Sequence, residues 1–372
     1  MTTKKHTSAS DALREKLKES LNQQLGGEKA EPKQEAPPPP PTVWFESDST
    51  DDNADLLTYA EFTNGEGSVP DGIEDTRIFR RYDKSDWDKS VHSMIPDPMP
   101  GFRYTEQVYY MFLGAVNKLN IFAVGGAGTG KDTAAKQFAA LSGMPYRRIT
   151  GMQGVTPDMI LGKIGLNEAG TTWEDGDAAL WARFGGMMVI SEPATMPPDT
   201  MFAFQSALED CGHLSLMDHP DPEQRMLDLH DECRIVLTSN VRGTGAGSND
   251  HKFGATGAMD ESTRNRMEQW IHFKYMDAAT EGKVIKDKFP VLGDTLVSKM
   301  VQFGNLLRTA YDQGQVESSW SLRNAIPWCK MTVKLRDPAA AFRATFFDAL
   351  EEDEQQTVRE FWNDVDFESY KL

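Results

Sequence analysis

The chain has 372 residues, 39% hydrophobic and 26% charged, which is enough for one large or two ordinary folded domains. Its formal net charge of −18 sets the surface against DNA, RNA and anionic membranes, yet leaves small phosphorylated ligands open, since one positive loop suffices for those. Three cysteines, Cys211, Cys233 and Cys329, lack the C-x-x-C spacing of a zinc site and fit a reducing cytoplasm, and no apolar run reaches the length of a membrane span.

Residues 1–41 read as a disordered arm. "ASDALREKLKESLNQQL" carries Leu13, Leu17 and Leu21 at helical spacing, and the Pro/Glu/Lys-rich linker after it cannot bury enough surface to fold. Residues 42–94 form a small acidic accessory region without evident chemistry. Its "DKSDW" falls short of a D-x-S-x-S metal motif, because Trp87 stands where the second serine belongs. A Pro-rich lead then enters a helix with Thr105 as N-cap and Val108, Phe112 and Val116 as its apolar stripe. From there short apolar strands alternate with helices: Ile121–Val124, Tyr146–Ile149, Met187–Ile190, Arg234–Thr238 and Trp270–Phe273. Such alternation predicts an α/β domain over 95–277, built on a five-stranded parallel sheet with ligands at the strand C-termini. Residues 278–372 read as a helical lid with an acidic C-terminal tail. His213 and His219, in "GHLSLMDH", fit a hairpin better than a ligand pair.

The chemistry concentrates in "IFAVGGAGTGKDTAAKQFAAL". A strand, a glycine loop and a helix with Lys131 at the turn match the phosphate-binding pattern G-x-x-x-x-G-K-[ST] over Gly125, Gly126, Ala127, Gly128, Thr129, Gly130 and Lys131. The loop glycines let backbone N–H groups turn inward, the lysine supplies a point charge, and the helix adds its positive end. The next residue should offer a hydroxyl to Mg²⁺, but it is Asp132. Thr133 points about 100° further round the helix and suits the α-phosphate instead.

A second strand ends in Ser191-Glu192, where ring ATPases usually carry Asp-Glu. One position has therefore lost a hydroxyl and gained a carboxylate, and the other has done the reverse. In a P-loop fold both face one metal, so Asp132 and Ser191 read as having exchanged roles around Mg²⁺, with Glu192 left to polarise the attacking water. The plainer alternative is a decayed site that binds ATP and hydrolyses it poorly.

Several further stretches, in order, resemble AAA+ ATPases of the MoxR-type, helix-2-insert branch, and especially the ATPase subunit of aerobic cobalt chelatase. They are "IPDPMPGF", "GGAGTGKDT", "PDMILGKIGLNEAGTTWEDGDAALWARFGG", "MFAFQSALEDCGHLSLMD" and "RIVLTSNVRGTGAGSNDHKFGATGAMDESTRNRMEQW", within a likeness spanning roughly 95–345. The resemblance implies an insert hairpin before the Ser191 strand, and a ring, in such families a hexamer, with ATP at subunit interfaces. It implies Asn240 as sensor 1, Arg266 as a finger reaching a neighbouring subunit, Arg264 as a second finger and Arg323 as sensor 2. It also implies a separate partner protein with a von Willebrand A-type domain. Asp132 and Ser191 depart from the family pattern. The leading expectation is an ATP-driven motor that remodels a partner complex. A nucleotide-gated scaffold is the alternative, and a small-molecule P-loop kinase, suggested by "GKDT", is a more distant one.

Overall fold

The computed structural model describes residues 55–372 except 168–169, 211, 241–258 and 368–369. The arm with its expected helix lies outside these residues, as does the glycine-rich stretch after Asn240.

Every predicted strand is present, longer by one or two residues. The Pro-rich lead runs into α1 (Glu106–Val116), β1 (Ile121–Gly125), α2 (Lys131–Ser142) and β2 (Tyr146–Thr150). The strands β3 (Gly162–Asn167) and β4 (Gly170–Asp175) then form the expected separate antiparallel insert hairpin, ahead of α3 (Asp177–Phe184) and β5 (Gly186–Ser191). A second hairpin, β6 (His213–Ser215) with β7 (Met226–Asp228), precedes β8 (Cys233–Ser239), α4 (Glu261–Asn265) and β9 (Gln269–Phe273). Five α-helices follow among the described residues: α5 (Ala278–Lys288), α6 (Asp294–Asp312), α7 (Leu322–Leu335), α8 (Pro338–Thr345) and α9 (Glu352–Val365).

The main sheet has the order β2-β5-β8-β1-β9, and every neighbouring pair is parallel. The three central strands, β5, β8 and β1, read as near-continuous apolar runs because both their faces are covered, while the edge strands β2 and β9 alternate buried and exposed residues. The two-residue period then sorts side chains between two cores. Ile121, Ala123, Met187, Val189 and Val236 pack on one face; Phe122, Val124, Met188, Ile190, Ile235 and Leu237 pack on the other. All five strands therefore end at one edge, where the loop after β1 meets the ends of β5 and β8.

The segment 55–94 has no core of its own. Tyr59, Phe62, Phe79, Trp87 and Val91 are buried in the cluster that holds α1 and α2, with the Tyr59 ring set edge-on to Tyr109 at 4.9 Å. Thr105 does occupy the N-cap of α1, but its hydroxyl makes no capping bond. The buried face of that helix is also wider than the expected stripe, taking in Tyr109, Met111 and Ala115.

The C-terminal helices enclose a separate aromatic core of Phe303, Trp320, Trp328, Phe342 and Trp362. The acidic C-terminal segment is correspondingly no tail. Glu352, Asp353, Glu360 and Asp364 face water along α9, while Val358, Trp362 and Val365 recur at helical spacing and are buried together with Glu354, which accepts from the Glu317 N–H. Charge density hid an amphipathic helix. A buried ion pair braces this region: Arg308 donates to both carboxylate oxygens of Glu281 at 2.7 and 2.6 Å and to the Trp320 carbonyl at 3.2 Å. Removing one partner strands the other's charge, so Glu281→Ala should cost about 3–5 kcal/mol of stability in chemical denaturation. A loss below about 1 kcal/mol would mean that water reaches the guanidinium.

Candidate functional site

The loop between β1 and α2 is shaped by its glycines. Gly128 has φ +77°, and a Cβ there would stand 2.4 Å from the Ser321 hydroxyl at the start of α7. At the strand end, a Cβ on Gly125 would lie 2.1 Å from the Phe273 carbonyl of β9. The loop is thus hemmed by both the sheet and the helical region. Lys131 begins α2 with its side chain curled back over the loop. Its ammonium donates to the carbonyls of Gly125 and Gly126 at 2.6 and 3.0 Å and to Asn240 Oδ1 at 3.0 Å. Burial pulls its pKa down to about 8 against the opposing pull of Glu192 and Asp132, and the Arg323 charge adds to the lowering. A phosphate anion at this loop would restore the ammonium's preference for its charged form.

Asp132 and Ser191 are in direct contact: the Ser191 hydroxyl donates to Asp132 Oδ2 at 3.0 Å. The sheet places them there, since β2 and β8 flank β5 with Thr150 opposite Ser191 on one side and Thr238 opposite it on the other. Two residues absent from the sequence reading complete the cluster. The Thr238 hydroxyl donates to Asp132 Oδ1 at 2.5 Å. Arg148, on β2, donates from its Nε to Ser191 Oγ at 2.8 Å and pairs with Asp132 Oδ2 at 2.8 Å. The available signal was "YRRIT", since consecutive arginines are unusual in a strand flanked by buried neighbours.

Glu192 follows β5 in the left-handed region, with φ 53° and ψ 52°, an uncommon conformation for a residue with a side chain. It is held there by its backbone N–H, which donates to the Thr238 carbonyl at 2.6 Å. Its Oε2 accepts from the Ser239 hydroxyl at 3.1 Å and the Asn240 N–H at 3.3 Å. Asn240 therefore touches both Glu192 and Lys131. Thr129 turns its hydroxyl onto the Gly126 carbonyl at 2.9 Å, the Ala127 carbonyl accepts from Tyr275 Oη at 3.1 Å, and Thr133 lies half-buried in the first turn of α2. Arg323 is brought to the same place from the helical region: its Cγ would stand 3.8 Å from a Cβ on Gly128.

The remaining two candidates lie elsewhere. Arg264 sits over the Trp270 ring at 5.7 Å, and Arg266 pairs with Glu209 at 2.6 Å and bonds Ser262. The Arg266 carbonyl accepts from Asn120, at the opposite end of β1 from the glycine loop. These arginines do not meet Lys131 within one chain. His219 folds back on the Asp221 backbone in its hairpin, beside Trp173 at 4.9 Å.

The residues fit a nucleoside triphosphate and a small hard cation. A glycine loop, a buried ammonium and a helix N-terminus meet where phosphates would lie. The Asp132 carboxylate and the Ser191 and Thr238 hydroxyls form a cluster of oxygen donors of the kind Mg²⁺ takes with phosphate. Among the described residues no group of three or more His, Cys, Asp or Glu side chains could hold a metal ion by itself.

Residues 120–254 match the model of AAA domains of the dynein-related subfamily, and residues 281–364 match the CbbQ/NirQ/NorQ C-terminal model. The aerobic cobaltochelatase subunit CobS of Sinorhizobium sp is 26% identical over 302 residues, covering 78% of this chain and 87% of that protein. Together these matches support a MoxR-type AAA+ ATPase, CobS-like. An uncharacterised Staphylococcus aureus protein is 23% identical to this AAA+ chain over 248 residues, 64% of this chain and 86% of its own length. Among solved structures, the Thermotoga maritima RuvB Holliday junction branch migration motor aligns with a TM-score of 0.39 and 14% identity, over 73% of each chain. The α/β fold expected from the sequence is the AAA+ fold, and the C-terminal match extends through most of α9, beyond the reach of the resemblance. No helix among the described residues is long and apolar enough to cross a membrane.

Lys131→Met should weaken equilibrium binding of a fluorescent ATP analogue by more than about tenfold, because it removes the charge-assisted bond to phosphate. The unfolding midpoint of the free chain should stay at or above wild type, since a buried charge disappears with it. Unchanged binding would place the phosphates elsewhere.

Proposed function

We propose that this AAA+ chain is an ATP-hydrolysing ring motor that remodels or activates a partner protein complex. One observation carries the reading: Lys131, Asp132, Ser191, Glu192 and Asn240 converge on one edge of the sheet, and Arg323 joins them from the helical region. Such an arrangement senses what occupies the loop and conveys it to a second body. In this reading the loop N–H groups and Lys131 hold the β- and γ-phosphates, and Glu192 takes a proton from the water that attacks the γ-phosphorus, giving ADP and phosphate. The strained backbone of Glu192 and its two donors aim the carboxylate, and Asn240 ties that aim to the lysine. Mg²⁺, held by Asp132 with Ser191 beside it, would supply charge neutralisation on the phosphates.

The placement of Arg264 and Arg266 supports assembly. Too far from their own chain's loop, they suit a neighbour's γ-phosphate, as in a hexameric ring. The likeness to CobS extends the proposal to a chelatase-type assembly with a separate von Willebrand A-type partner, metal insertion being one output of the remodelling.

The test is Mg²⁺-dependent ATP turnover by the purified chain beside Asp132→Thr, Ser191→Asp and the double substitution. Each single change should lower turnover at least about tenfold, and the double should recover most of it. Wild type that binds ATP without turnover, with activity gained by the double substitution, would replace the motor with a nucleotide-gated scaffold.

A further inference from the structure

Arg148 is a residue that the proposed chemistry does not use, yet it grips the metal side of the site. Its guanidinium holds Asp132 Oδ2 and Ser191 Oγ at once, each at 2.8 Å. The other donors to Asp132 differ from it in kind. Ser191 and Thr238 are hydroxyls, which can rotate and present a lone pair to a cation; a guanidinium has five donors and no acceptor. A cation can share the carboxylate with the two hydroxyls but cannot be bound through Arg148. Whatever divalent ion enters at Asp132 Oδ2 must first displace the arginine. Arg148 can leave, since its side chain is 44% exposed while that of Asp132 is 22% exposed.

The charges explain why an arginine belongs there. The fixed charges around the loop are Lys131 and Arg323, both positive, and Asp132 and Glu192, both negative. With Asp132 in place of the usual hydroxyl, the negative charge sits not at the end of β5 but beside the phosphate loop, where it would repel ATP whenever Mg²⁺ is absent. Pairing with Arg148 neutralises that charge in place.

We propose that Arg148 is the chain's own counter-cation for Asp132: it screens the carboxylate from phosphate in the metal-free state and yields its place when a divalent cation binds. Arg148 is thus a positioning residue that makes nucleotide capture independent of metal and metal entry a separate, later step. The inference deepens the nucleotide-site reading and rests on it.

The experiment is equilibrium binding of a fluorescent ATP analogue to the full chain, in EDTA and in Mg²⁺, for wild type, Arg148→Gln, Arg148→Lys and Arg148→Gln with Asp132→Asn. Wild type should bind under both conditions. Arg148→Gln should weaken binding about tenfold in EDTA and change it by less than about threefold in Mg²⁺, because only the metal-free state exposes the carboxylate. Arg148→Lys should keep part of the metal-free affinity, and adding Asp132→Asn to Arg148→Gln should restore it. Equal losses in EDTA and Mg²⁺, or failure of the second substitution to restore binding, would make Arg148 a structural brace and overturn the proposal. Binding by wild type with no change in Arg148→Gln would overturn it while leaving the nucleotide site standing. Absence of binding by wild type in both conditions would remove the nucleotide site and the proposal together.

Discussion

A carboxylate beside a phosphate cradle is the constraint around which this site is built. Asp132 takes the helix position immediately after the loop lysine, where negative charge opposes the ligand that the rest of the loop invites. The surroundings answer that conflict on every side. Two hydroxyls and a guanidinium donate to the carboxylate, one each from β5, β8 and β2. In the proposed exchange of roles, Ser191 serves there because Asp132 brings the negative charge that β5 would otherwise supply. Two aspartates in contact would be mutually repulsive, and two hydroxyls would leave the arginine without a counter-charge.

The sheet makes this compensation possible. Its order places β5 between β2 and β8, so that Thr150, Ser191 and Thr238 stand in line across three strands at the edge where α2 begins. Both apolar faces are covered, which fixes the register, and a one-residue slip would turn the buried sets of β5 and β8 to the wrong faces. From the same edge two contacts lead into the helical region. Ser321 and Arg323 close on Gly128, and Tyr275 donates to the Ala127 carbonyl while its ring lies under Arg308 at 4.6 Å. The buried Arg308–Glu281 pair therefore stands one contact from the loop.

Much of this was legible in the sequence because it rests on local pattern. The five apolar runs announced the strands, and the glycine loop with Lys131 announced its own geometry. The mismatch of Asp132 and Ser191 with the usual pattern was visible as two oddities, and their contact followed from the topology. Arg148 was not legible. Its role depends on which strand neighbours β5, and β2 carries a second arginine, Arg147, buried and paired with Asp177 at 3.1 Å. Only the register decides which of the two turns toward Asp132. The acidic C-terminus misled for a related reason: charge density masked a 3.6-residue period carried by three apolar residues. The segment 55–94 looked inert, although its aromatic side chains complete a core that lies mostly elsewhere in sequence.

The measurement that bears most directly on the exchange of roles is a structure of the Glu192→Gln chain with ATP and Mn²⁺, the metal located by its anomalous scattering. The account predicts manganese bound directly by an Asp132 carboxylate oxygen, with the Ser191 hydroxyl turned toward the metal and Arg148 withdrawn. Manganese bound without Asp132, or coordinated by Thr133 while Arg148 still holds the carboxylate, would contradict it.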